Sequence, residues 1–74
     1  MNSVPLTPKA ALRLACDLVG GVALLAAKLG VTGPAVYQWD RAPPNRCLAI
    51  EQATEGQVTR YQLRPDIFGP APTG

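Results

Sequence analysis

The sequence predicts an all-α domain built around a helix-turn-helix. Apolar residues recur at helical spacing in successive short segments, and no stretch alternates as a half-buried strand would. Prolines open these segments and glycines close them. Between Val22 and Arg41, two short apolar helices are joined by a turn centred on Gly30. At 74 residues the chain has room for one domain, and one this short buries only about 60% of the surface its unfolded form exposes.

The first six residues carry no pattern and are expected to be flexible. Thr7-Pro8 starts the first helix, because a hydroxyl at the N-cap accepts from an orphan N–H and proline fits the first helical position. That helix runs from Pro8 to Val19, with Leu12, Ala15, Cys16 and Val19 on one stripe. Leu14 and Leu18 lie off it. Gly20-Gly21 ends the helix. The second runs from Val22 to Leu29 in strong helix formers, and Lys28 in its last turn suits the dipole. Two turns are too few to be stable alone, so this helix must be packed on both sides. Gly30 stops it.

Thr32 is the next N-cap, and Gly33-Pro34 open a third helix expected to reach about Arg41. Val36 and Trp39 share its inner face, which makes Trp39 a core residue. Pro43-Pro44 stop it. The fourth helix runs from Pro44 or Asn45 to Ala53, with Cys47, Ile50 and Ala53 or Thr54 inward and Gly56 as its C-terminal signal. Thr59 to Leu63 is one turn capped by Thr59. Arg64-Pro65-Asp66 is a turn, and residues 69–74, Pro/Gly-rich, are expected to be disordered. The domain is therefore expected over residues 7–68, with the helix-turn-helix at 22–41.

Composition argues against catalysis. Histidine is absent, which removes the commonest general base and metal ligand. Cys16 and Cys47 are the only cysteines and form no CxxC pair, so a tetrahedral zinc site lacks its ligands. No metal and no cofactor are expected. Both thiols fall on apolar stripes and read as small buried hydrophobes rather than a disulfide. The net charge of +2 permits nucleic-acid binding without demanding it. Leu18 to Ala27, the longest mostly apolar stretch, is far short of the about 20 residues that span a membrane. No secretory signal opens the chain, so a soluble cytoplasmic protein is expected.

A helix-turn-helix needs a small residue where the first helix touches the second, and Ala26 sits four residues before the turn glycine. It needs a residue that tolerates positive φ at the swing, and Gly30 is there. Leu25, Leu29, Val31, Val36 and Trp39 pin the pair to the core. A small helical bundle with an Ala-rich helix and a glycine turn is the plainer reading of the same pattern.

The run GGVALLAAKLGVTGPAVYQW resembles the Cro-type repressors of lambdoid phages and prophages, and especially their YdaS-like branch of antitoxins. Gly20, Gly21, Leu25, Ala26, Leu29, Gly30, Val31, Ala35, Val36 and Trp39 match its pattern. The closing segment is also similar, at Arg46, Cys47, Ile50, Glu51, Thr54, Gly56, Leu63, Arg64, Pro65 and Asp66. The resemblance covers about residues 10 to 68. It implies a five-helix, lambda-repressor-like DNA-binding domain, acting in a bacterial cell as a small repressor on double-stranded operator DNA.

On that reading the third helix enters the major groove and the second crosses above it. The candidate DNA contacts are Thr32, Gly33, Pro34, Tyr37, Gln38 and Arg41, with Lys28 as a phosphate contact. Gln38 has the two groups needed to grip adenine, and Arg41 could take guanine or phosphate. Thr32 could reach a phosphate or a thymine methyl. The family often carries polar side chains where Gly33 and Pro34 stand, and neither can read a base edge by hydrogen bonding. Base readout is therefore expected to shift to Tyr37, Gln38 and Arg41. One module offers few phosphate contacts, so a homodimer on a palindrome is expected. The alternative is an antitoxin that binds a toxin through Leu14, Leu18, Ile67 and Phe68 and regulates its own operon.

Overall fold

The computed structural model describes residues 7–69, and every regular element among them is a helix. The helices are α1 (Pro8–Val19), α2 (Val22–Leu29), α3 (Gly33–Gln38), α4 (Pro44–Ala53), α5 (Arg60–Leu63) and α6 (Pro65–Phe68). The expected flexible start, residues 1–6, and residues 70–74 of the expected disordered tail lie outside the described residues.

Helix starts follow local chemistry. The Thr7 hydroxyl accepts from the Ala10 N–H at 3.1 Å, Thr32 does the same for Ala35 at 3.3 Å, and Thr59 does so for Gln62 at 3.3 Å. At α5 the exchange is reciprocal, because the Gln62 side chain accepts from the Thr59 N–H at 2.9 Å. The α1–α2 corner turns the chain by 93°. No single helix among the described residues is long and apolar enough to cross a membrane.

The turn after α2 is closed by Val31 N–H donating to Ala26 C=O at 3.0 Å and Gly30 N–H to Ala27 C=O at 3.3 Å. That geometry requires a left-handed residue at Gly30, whose φ is 75°. A Cβ placed on Gly30 would meet nothing within 4 Å. Gly30→Val therefore tests the backbone alone, and strain of about 1–3 kcal/mol is expected. For a domain this size each kcal/mol lowers the melting temperature by roughly 4–8 °C. An unchanged thermal melt by circular dichroism would refute the left-handed turn.

The core joins Ala11, Leu12, Ala15 and Cys16 of α1 to Leu25, Ala26 and Leu29 of α2, Val36 of α3, and Cys47 and Ile50 of α4. Ala42, Val58 and Leu63 complete it. Thr54 is the only buried polar residue among the described residues, and its hydroxyl is satisfied. The oxygen accepts from Val58 N–H at 3.1 Å, and the carbonyls of Ile50, Glu51 and Val58 lie within 3.2 Å for its proton. This one side chain folds the α4–α5 connection back on itself. Glu55, not Gly56 alone, turns that corner, with φ 55° beside 82° at Gly56.

Three expectations need correction. The third helix ends at Gln38 rather than near Arg41, and Trp39 is already extended at φ −71°, ψ 122°. The chain leaves the helix early because Ala42 must be buried and Pro43-Pro44 disfavour helical backbone before them. Arg64-Pro65-Asp66 is not a bare turn: Pro65 starts the one-turn helix α6, making six helices among the described residues where five were expected. Trp39 is only partly buried, lying against the core rather than inside it.

Candidate nucleic-acid interface

The exposed face of α3 is set by what its other face must do. Val36 is sealed in the core. Its successors Tyr37 and Gln38 consequently point outward, and Tyr37 is 77% exposed. Thr32, at the head of the helix, spends a lone pair on the Ala35 N–H and keeps its methyl and its O–H proton for an outside partner. Gly33 is half-buried and Pro34 exposed. A Cβ on Gly33 would meet nothing within 4 Å, so the surface there is open backbone.

Lys28 is exposed in the last turn of α2 and forms no ion pair among the described residues. Arg41 lies in the loop after α3, about half exposed, with Nη1 3.9 Å from Asp66 Oδ2. The structure thus groups Tyr37 and Gln38 on one short helix with Thr32, Gly33 and Pro34 at its head, and carries Arg41 on the following loop.

Two cations escaped sequence reasoning. Lys9 and Arg13 of α1 line a surface cavity of about 400 Å³ together with Tyr37, Gln38 and Asp40. Lys9 stands 4.0 Å from Asp40, both exposed. Their i, i+4 spacing puts Lys9 and Arg13 on one face of α1, but only the tertiary fold sets that face around the same cavity as Tyr37. Arg46 was seen only as part of a motif. It donates from Nη1 to the Leu29 carbonyl at 3.0 Å, covering an orphan acceptor at the end of α2 and fixing α2 to α4.

Arg64 closes the opposite side of the loop. Nη1 donates to the Ala42 carbonyl at 3.2 Å, while Nε and Nη2 grip the Asp66 carboxylate at 3.1 and 2.9 Å. The hydrogen bonds from Arg64 hold the Asp66 carboxyl below the usual carboxylate range, and the Arg41 charge adds to this. A depressed pKa stabilises the fold above the unfolded value of about 3.9, and that contribution disappears as pH falls through the lower folded value. Melting temperature should therefore fall more steeply below about pH 4 in the parent than in Asp66→Asn. Parallel curves through that range would refute the linkage.

The thiols are chemically quiet. Burial raises the pKa of Cys16, with Asp17 adding to the shift, and burial likewise raises that of Cys47. Both are free and buried, so neither is poised as a nucleophile. No cluster of metal-ligating side chains occurs among the described residues.

A family model described as "Bacterial toxin YdaS" matches residues 12–72. The chain belongs to the YdaS family. An Escherichia coli strain K12 relative, named "Putative transcriptional regulator YdaS", is 49% identical over 57 residues. That match covers 72% of this chain and 58% of the relative, so this YdaS-family chain spans little more than half of that protein's length. The fold is similar to that of the Cro protein from the Xfaso 1 prophage element of Xylella fastidiosa strain Ann-1, with a TM-score of 0.77 and 44% identity. The superposition covers 80% of this chain and 95% of the Cro protein. The all-α, Cro-like architecture implied by the sequence resemblance is thus the architecture found. The names differ in emphasis: the family description speaks of a toxin, the relative's of a regulator.

Proposed function

We propose that this YdaS-family chain is a sequence-specific DNA-binding repressor of the Cro type, phage- or prophage-derived, that works without cofactor or catalysis. The observation that carries the reading is α3. In a Cro-like fold, this short helix seals Val36 inward and turns Tyr37 and Gln38 to solvent. A helix of this kind fits the major groove, with Thr32, Gly33 and Pro34 at its head close to the DNA. Gln38 reads a base edge, Tyr37 packs against the groove, and Lys28 and Arg41 hold phosphates. The protein acts in the bacterial cytoplasm as a dimer on a palindrome, with half-sites about 10 base pairs apart or a multiple of that.

The exposed apolar residues favour a second reading. Leu18 is 42% and Ile67 48% exposed, whereas Leu14 and Phe68 pack partly against the core. Of these four only Leu18 and Ile67 remain outward for a toxin partner in an antitoxin-like role, and Leu24 and Leu48 are exposed apolar residues besides. Footprinting on the DNA upstream of the protein's own gene separates the two readings. The repressor reading expects a protected palindrome at physiological salt. If folded protein binds that DNA no better than random duplex, the repressor reading fails and the partner-binding one takes its place.

A further inference from the structure

We propose that Asp66 is a positioning residue for DNA binding: it holds Arg41 in place for a phosphate, and so extends the interface to the C-terminal turn. The inference rests on the DNA-binding reading above and adds a residue to it.

Arg41 needs such a partner. It follows a helix that has already ended at Gln38, so helical backbone no longer directs its side chain. The C-terminal turn supplies the direction. Asp66 Oδ2 sits 2.9 Å from Arg64 Nη2 and 3.9 Å from Arg41 Nη1, so one carboxylate oxygen faces two guanidinium groups. Arg64 in turn donates to the carbonyl of Ala42, the residue after Arg41. Backbone and side chain of the same loop are thereby tied to α6.

Charge arithmetic makes this a support rather than a mask. Two guanidinium groups and one carboxylate leave the trio with one net positive charge. Arg64 is largely enclosed, its side chain 13% exposed, whereas that of Arg41 is 48% exposed. The uncompensated charge is therefore presented through Arg41. At 3.9 Å the Arg41 contact is loose, and a phosphate can take the remaining guanidinium donors while Asp66 limits where the group swings. Arg64 keeps Asp66 itself from wandering, through two short hydrogen bonds.

The test is a double-mutant cycle on DNA affinity, read on a mixed-sequence duplex at two low salt concentrations, because a phosphate contact is independent of sequence. Arg41→Ala should weaken binding and reduce the salt slope by about one ion. Asp66→Asn should weaken binding about two- to fivefold, the range of an exposed ion pair. In the Arg41→Ala background the same change should have no effect, and Asp66→Glu should keep most of the parent affinity. Thermal melts of each variant keep folding apart from binding.

Equal weakening by Asp66→Asn in both backgrounds would mean that Asp66 serves only the fold, and would overturn the proposal. Tightening in either background would mean that the carboxylate repels phosphate, and would overturn it as well. An unchanged salt slope in Arg41→Ala removes the contact that Asp66 is said to position. Each of these leaves the DNA-binding reading standing. A folded parent that binds no duplex at low salt overturns both together.

Discussion

Leu25→Ala is expected to destabilise the domain by about 2–5 kcal/mol, the range for removing a large aliphatic side chain from a packed core. Leu25 is fully buried on α2, the helix that α1, α3 and α4 all pack against. A domain of this length has a total stability of about 4–11 kcal/mol. The variant should therefore keep only part of that stability and melt well below the parent, each kcal/mol lowering the melting temperature by roughly 4–8 °C. Trp39→Ala, which removes a larger side chain, should cost less, because Trp39 is only partly buried. Denaturant titration of the two variants checks the order. A cooperative melt for Leu25→Ala close to the parent's would show that α2 is not the centre of the core.

Gln38→Ala carries the largest expected functional effect. On the proposed reading it removes a bidentate base contact, worth about 1–3 kcal/mol of discrimination at one base pair of each half-site. Affinity for the best site should fall and preference at that position should flatten, while the salt slope stays the same. Lys28→Ala should do the opposite, lowering the slope by about one ion and weakening all sequences alike. Gln38 is exposed at the end of α3 and Lys28 exposed at the end of α2, so neither change disturbs the core. Binding to an operator and its single-base variants at two salt concentrations separates the two. An unchanged preference profile for Gln38→Ala would move base readout to Tyr37, Arg41 or DNA shape.

Helix starts and stops that depend on neighbours along the chain were legible from residue order. Thr7, Thr32 and Thr59 cap helices three residues away, and Gly20 and Gly30 turn left-handed to close them. These interactions span few residues, so spacing reveals them. The outward face of α3 was legible for the same reason: with Val36 on the inner face, Tyr37 and Gln38 follow on the outer one. Tertiary structure decided everything that rests on distant partners. Beyond α3, Pro43-Pro44 act locally, but the burial of Ala42 and an Arg64 hydrogen bond from 22 residues on hold the loop in place. The place of Lys9 and Arg13 near Tyr37 depends on how the fold sets α1 and α3 around one cavity, and the pairing of Arg41 with Asp66 on how α6 docks. Trp39 has the right period for a core residue, but the chain has left the helix by then, and the ring settles against the core instead of inside it. Helical periodicity assigns a side chain to a face only while the helix lasts; beyond its end, long-range packing decides.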